Sequence, residues 1–343
     1  MTQIPTIVVH PGCPKSGTTT LQASIFPRIE NIVYLGKQPG GQPGYFNDVV
    51  ANLLHDVIGQ DDARVRATRQ GPATARRREQ FADTADTFVL SNEVLVDDTQ
   101  RPLFAPWPKD IYLKAKHLRD VLVTDLGDIA NVQIMLTIRR QQDALPSFFA
   151  QIPYKYPQYY DPNLHSFVDF CLRRRQFGFG EFFNFDYLYT IYGELFGFEN
   201  VWVFPMEGLF DESQPVERER FARLLQQPVE AVSAAFVDAR RNTKRQEHHG
   251  ETRYRFGRRA HWSIRPVRRL YHGLRGSLGH DPAALPGVRA LKRHISRRGF
   301  ERDQFTLSPE LQGEIAEFYR ATNTRLAERS GMDLAAYGYP VAT

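Results

Sequence analysis

Apolar positions along the chain follow two rhythms. Thr6 to His10 (TIVVH), Thr87 to Leu90 (TFVL), Val132 to Ile138 (VQIMLTI) and Asn200 to Phe204 (NVWVF) are short β-rich runs that predict buried strands. The stretches Thr18 to Ile25, Asp48 to Ile58, Arg76 to Asp83, Lys109 to Leu122 and Asp143 to Gln151 read as helices, and Gly36 to Gly44 (GKQPGGQPG) reads as a loop. Strands alternating with helices predict an α/β fold of three layers, a central parallel sheet flanked by helices. Ligands of such sheets bind beyond the carboxyl ends of the strands. His10, the run Ser91 to Glu93, and the pair Arg139-Arg140 all fall at those ends. From Ala231 the pattern is helical and basic, broken by Pro266, Pro282 and Pro286. Leu307 to Glu328 reads as a last amphipathic helix, started by Ser308-Pro309. There is no internal repeat.

Composition sets the scale. A chain of 343 residues, 42% hydrophobic and 12% aromatic, can bury a large core. We read one domain over 1–343: an α/β core over 1–240, a basic helical insertion or arm over 241–303, and a C-terminal helix and tail over 304–343. Cys13 and Cys171 stand far apart, in no metal-ligand spacing, and read as free thiols of a reducing compartment. No apolar run reaches the roughly 18–20 residues that span a bilayer, and the N-terminus lacks the features of a signal peptide. The expected location is cytoplasmic. The net charge of +5 is unevenly placed: Arg240 to Asp303 holds 18 Lys/Arg and 5 Asp/Glu, so the rest of the chain is mildly acidic. Such an arm suits an anionic polymer or peripheral contact with an anionic membrane, and reads equally as a solvated basic face. No nucleic-acid partner is expected.

Residues 11–22, PGCPKSGTTTLQ, nearly spell a Walker loop, G-x-x-x-x-G-K-[ST]. Gly12 and Gly17 have its spacing, but Thr18 stands where the lysine belongs and the lysine comes early, at Lys15. Placed between a strand and a helix start, the backbone amides of Ser16 to Thr19 can cradle an anion. Lys15 and the hydroxyls of Ser16, Thr18, Thr19 and Thr20 can complete its shell. The plain alternative is a strand–helix turn with threonine caps.

The stretch PKSGTTTLQ resembles the 5′-phosphosulfate loop of sulfotransferases, PK[ST]GTT, which binds 3′-phosphoadenosine-5′-phosphosulfate (PAPS). Many members place tryptophan after the two threonines, where this chain has Thr20; HPGCPKSGTTTLQ is closer to the HIG-x-PKTGTT-x-LQ of bacterial carbohydrate-type members. That family also pairs a strand-end arginine with a serine eight residues on, at the donor's 3′-phosphate. LTIRRQQDALPSF supplies Arg139 and Ser147 at that spacing, with Asp143 between them and Arg140 as the alternative arginine. The LSNE after the second strand resembles an S-x-E of bacterial relatives. It makes Glu93 the candidate base for an acceptor hydroxyl, with His10 as its rival. FENVWVFPMEGL and the tail from LSPEL to YGYP also resemble the family, so the likeness runs nearly the length of the chain. Arg241 and Lys244 are candidates to close the 3′-phosphate site.

The resemblance implies a PAPS-dependent sulfotransferase that needs no metal. It takes Lys15, Ser16, Gly17, Thr18, Thr19, Thr20, Arg139 and Ser147 to the donor, and Lys15 and Glu93 to the chemistry. The acceptor is expected to be a glycan or glycolipid, with the tyrosines of PYKYPQYYDPN as a platform or merely as loop packing. Two other classes stay open: a P-loop kinase or nucleotide hydrolase, and a non-catalytic binder of anionic glycans or membranes.

Overall fold

A computed structural model describes residues 4–36, 87–96, 107–124, 130–151, 163–173, 183–242, 254–258, 301–305 and 307–342. Its centre is a sheet of five parallel strands: β1 (Thr6–His10), β2 (Ile32–Gly36), β3 (Thr87–Ser91), β4 (Asn131–Ile138) and β5 (Val201–Pro205), in the order β2-β3-β1-β4-β5. The α/β fold class expected from the alternation is the one observed. β1 is central, paired with β3 through His10↔Ser91 and with β4 through Val9↔Ile134.

Side chains on a strand alternate between faces, and here the alternation sorts two cores. Ile7 and Val9, Phe88 and Leu90, and Ile134 and Leu136 join the core under the helices Trp107–Arg119, Gln141–Gln151, Leu164–Arg173, Phe185–Phe196 and Pro309–Ser330. Val8, Val89, Met135 and Phe204 face the other way, onto Leu21, Ile25 and Phe26 and the helices Pro215–Leu225 and Val229–Asn242. Every residue of β1 and β3 is buried, as expected of parallel strands covered on both faces.

Three details differ from the sequence reading. The segment after the loop is one α turn, Thr18–Thr20, that widens into a π-helical stretch, Leu21–Ile25, and tightens at Phe26–Arg28. Such π stretches gather at functional sites. β2 and the helices Leu164–Arg173, Phe185–Phe196 and Pro215–Leu225 were not anticipated. Within the basic arm, read as helical, the described residues form an antiparallel strand pair, β6 (Tyr254–Arg258) with β7 (Glu301–Phe305), so the boundary at 303 cuts a strand. Tyr254 and Phe256 already alternate with arginines at strand period. The expected helices 48–58 and 76–83, the loop beyond Gly36, the tyrosine stretch before Asn163, Lys244 and most of 243–300 lie outside the described residues.

The C-terminal helix starts as expected. Ser308 Oγ accepts from the Leu311 amide at 3.3 Å, with Pro309 in the first turn. The tail after it docks near the strand ends: Tyr339 donates to Glu207 Oε2 at 2.9 Å and Tyr337 to Glu217 Oε1 at 2.9 Å. Among the described residues no helix is long and apolar enough to cross a membrane.

Candidate functional site

The loop after β1 turns on three residues with left-handed backbone: Gly12 (φ 69°), Lys15 (φ 66°) and Gly17 (φ 80°). The glycines are required by space as well as conformation. A Cβ on Gly12 would lie 2.7 Å from Thr18 Cγ2 and 3.3 Å from Glu93 Cγ, and one on Gly17 would lie 2.8 Å from the Phe210 ring. Lys15 is a non-glycine residue in a conformation that costs about 1–2 kcal/mol, a cost typically stored at functional sites. Its carbonyl accepts a hydrogen bond from Arg139 Nη1 at 3.4 Å.

Lys15, Arg139 and Glu93 are thereby brought together from three strand ends. The Lys15 pKa lies below its ordinary value, first because half-burial desolvates the ammonium and next because Arg139 repels it; the nearby Glu93 pulls it back up. Two cations against one carboxylate leave the loop electropositive, which suits an anion with more than one charge.

Glu93 opens a short 3₁₀ turn after β3, pinned to β1 by the Asn92 amide donating to His10 O at 3.1 Å. The Thr18 hydroxyl donates to Glu93 Oε1. Thr18 is buried, Thr20 half-buried and Thr19 exposed at the helix start, where amides have no partner within the helix.

Ser16, expected at the donor, turns inward. Its amide and its hydroxyl both donate to Cys13 O, at 3.3 and 2.7 Å, and its side chain is fully buried. Both donors thus point to the inner side of the turn.

The two adjacent arginines part company. Arg140 sends its amide to Glu207 Oε1 at 3.0 Å and pairs its guanidinium with Asp143 at 2.8 Å and Glu207 at 3.5 Å. Since Glu207 also holds Tyr339, Arg140 ties the ends of β4 and β5 to the tail. Arg139 faces the loop. Ser147 lies in the helix Gln141–Gln151, half-buried on the side of Asp143; among the described residues no hydrogen bond joins it to Arg139 or to the loop. Arg241 lies in the last turn of the helix Val229–Asn242.

His10 is fully buried and uses both ring nitrogens, Nδ1 with Ser91 Oγ at 2.7 Å and Nε2 with Thr137 Oγ1 at 2.9 Å. Burial lowers its pKa to about 3, so the ring is neutral. Phe26 covers it edge-on at 5.7 Å. With neither nitrogen free, this rival base belongs to the frame beneath the loop. Cys13 is equally enclosed, its thiol pushed up to about 12 by burial.

Sequence reasoning missed Thr137, Gln22 and Glu207. Thr137 carried a signal: it shares strand parity with Met135 and Arg139, so it continues the face that ends at the loop. Gln22 and Glu207 fall inside PKSGTTTLQ and FENVWVFPMEGL, but their partners follow only from the strand order.

Among the solved structures that are similar is a sulfotransferase from Alicyclobacillus acidocaldarius, matched over 97% of this chain and 98% of that one, at 12% identity and a TM-score of 0.44. No protein-family model matches the chain. No curated protein is similar to it in sequence. At this distance the likeness carries no argument about chemistry, which has to come from the loop itself.

Proposed function

We propose that the chain is a sulfotransferase that moves a sulfuryl group from PAPS to an acceptor hydroxyl on a carbohydrate or glycolipid. The observation that carries this reading is the meeting of Lys15, Arg139 and Glu93 at one strand-end loop whose sequence is PKSGTTTLQ.

The residues divide the work. PAPS supplies an activated sulfuryl group on a phosphate leaving group, so the site must neutralise several charges on one side and take up one proton on the other. Lys15 and the first-turn amides of Gly17 to Thr20 hold the phosphosulfate, and Lys15 balances the charge that grows on the leaving oxygen. Arg139 is the bidentate donor for the 3′-phosphate, with Ser147 beside it. Glu93 accepts the proton of the acceptor hydroxyl as its oxygen attacks. The Thr18 hydroxyl, which donates to Glu93, ties the base to the start of the loop's helix. As in phosphoryl transfer, positioning and electrostatics supply most of the rate. The basic balance of residues 240–303 draws an anionic acceptor or the surface that carries it.

Calorimetric titration with 3′-phosphoadenosine-5′-phosphate (PAP), beside ATP with Mg²⁺, tests the reading. Metal-independent PAP binding that is lost in Lys15→Ala and Arg139→Ala is expected. A preference for ATP with Mg²⁺ would sink it in favour of a kinase or nucleotide hydrolase.

A further inference from the structure

Under the loop, side chains from three neighbouring strands form a single hydrogen-bonded chain. It runs Gln22 Nε2 to Ser91 Oγ (3.0 Å), Ser91 Oγ to His10 Nδ1 (2.7 Å), His10 Nε2 to Thr137 Oγ1 (2.9 Å), Thr137 Oγ1 to Ser16 Oγ (2.9 Å) and Ser16 Oγ to Cys13 O (2.7 Å). All five side chains are buried.

Counting protons fixes its direction. A carbonyl only accepts, so the single Ser16 hydroxyl proton goes to Cys13 O. Ser16 Oγ then accepts from Thr137, whose one proton is used there. Thr137 Oγ1 in turn accepts from His10, so the ring proton sits on Nε2. A neutral ring leaves Nδ1 as an acceptor, filled by Ser91, and Ser91 accepts from the Gln22 amide. Each hydroxyl between Gln22 and Cys13 donates once and accepts once, and the bonds all run in one sense. The last bond closes on the carbonyl that also takes the Ser16 amide, so the chain ends by fastening the turn just before Gly17 and Thr18.

We propose that His10 is the positioning residue of the anion loop: as the Nε2–H tautomer it orients Thr137, which draws Ser16 inward onto Cys13 O and sets the turn from which Lys15 and the following amides meet the ligand. His10 touches no substrate in this role. The inference rests on the sulfotransferase reading only for PAP as the probe, and inorganic pyrophosphate serves as a second probe that does not.

The test uses the full chain and three variants. His10→Gln keeps an N–H within reach of Thr137, His10→Asn does not, and Thr137→Val removes the hydroxyl at constant shape. His10→Asn and Thr137→Val are each expected to weaken PAP and pyrophosphate binding roughly threefold to tenfold, the worth of one neutral hydrogen bond. Their combination should be no weaker than the poorer single variant, because both break one chain. His10→Gln should bind within about twofold of the parent. In the parent, imidazole ¹⁵N spectra should report the Nε2–H tautomer, a readout that needs no variant to fold. An Nδ1–H tautomer, unchanged binding in Thr137→Val, or losses that multiply in the double variant would each overturn the inference. Pyrophosphate binding with this pattern but no PAP binding supports it while refuting the sulfotransferase reading. Failure to bind either probe overturns both.

Discussion

Replacing Gly17 with alanine separates the shape of the loop from its charge, since Lys15, Arg139 and Glu93 are untouched. Two costs follow from the geometry. Gly17 has φ 80°, where a side chain costs about 1–2 kcal/mol. The new Cβ would stand 2.8 Å from Phe210 Cε2, 3.2 Å from Cζ and 3.4 Å from Met206 Sδ. Phe210 is held edge-on against Phe236, centroids 5.4 Å apart, so it cannot swing away freely. Crowding of this kind costs about 1–3 kcal/mol. The sum, about 2–5 kcal/mol, is divided by what the loop does. If the loop keeps its shape, the loss appears as stability. If it relaxes, the loss appears as affinity, at about tenfold per 1.4 kcal/mol. Urea unfolding with and without PAP, together with PAP titration, measures both parts. Adding Phe210→Leu should return the crowding part and leave the conformational part. Wild-type unfolding and wild-type affinity in Gly17→Ala would refute the shape argument. Full recovery by Phe210→Leu would refute the role given to φ.

Four further outcomes are expected. Lys15→Met should raise the thermal midpoint of the ligand-free protein, since burial and Arg139 disfavour its charge, while PAP affinity falls about 10- to 100-fold as a charged contact is lost. The same depressed pKa makes wild-type stability rise with pH up to the ordinary value of 10.5, and Lys15→Met should lack that rise. Glu93→Gln should lower turnover about 10²- to 10⁴-fold with PAP affinity kept or improved, as single-turnover rates and titration will show; unchanged turnover would remove Glu93 as the base. Arg139→Ala should lose PAP binding at little cost to the fold, whereas Arg140→Ala should unfold at lower urea with PAP affinity within about threefold, because it strands Glu207; the reverse pattern would exchange their roles. His10, lowered to about 3 from 6.5, binds its proton only in the unfolded chain between those values. Its contribution is full above pH 6.5 and is lost towards pH 3, at up to about 1.4 kcal/mol per pH unit, and His10→Gln should flatten that part of the stability profile.

Much of the fold was legible because parallel strands covered on both faces must be apolar throughout, and TIVVH, TFVL, VQIMLTI and NVWVF are strands in the structure. β2 was not, for a physical reason: it is an edge strand whose first residues are only half-buried, and its last glycine reads as the start of a loop. The strand pair in the basic arm was not legible because arginines suit an exposed helix as well as an edge strand, and the alternation of Tyr254 and Phe256 covers only three residues. In the candidate site, the placement of Lys15, the glycines and the threonines in one strand–helix turn was readable since that turn is local in sequence. The inward turn of Ser16 was not, because its partners, Cys13 O and Thr137, decide which way a small hydroxyl points.

Arg139 and Arg140 illustrate the intermediate case. Neighbours on a strand face opposite ways, so the sequence could state that one enters the site without saying which. Parity resolves it once the sheet order is known. Val8 and His10 on β1, Val89 and Ser91 on β3, and Met135 and Thr137 on β4 share one face, and Arg139 extends that face beyond the strand. Along each strand the apolar middle of this face gives way to a polar residue at the carboxyl end. The apolar half packs on Phe26, Phe204 and Phe221, and the polar half carries the hydrogen-bonded chain up to the loop. A core that rigid is what lets a turn with three left-handed residues hold one shape, since the strain has to be overcome by the packing beneath it. The other face ends at Arg140, and its pairing with Asp143 and Glu207 serves the closure of the tail. A single residue step, half the strand period, just beyond β4 thus separates Arg139, beside the loop, from Arg140, which pairs with the acids that hold the tail.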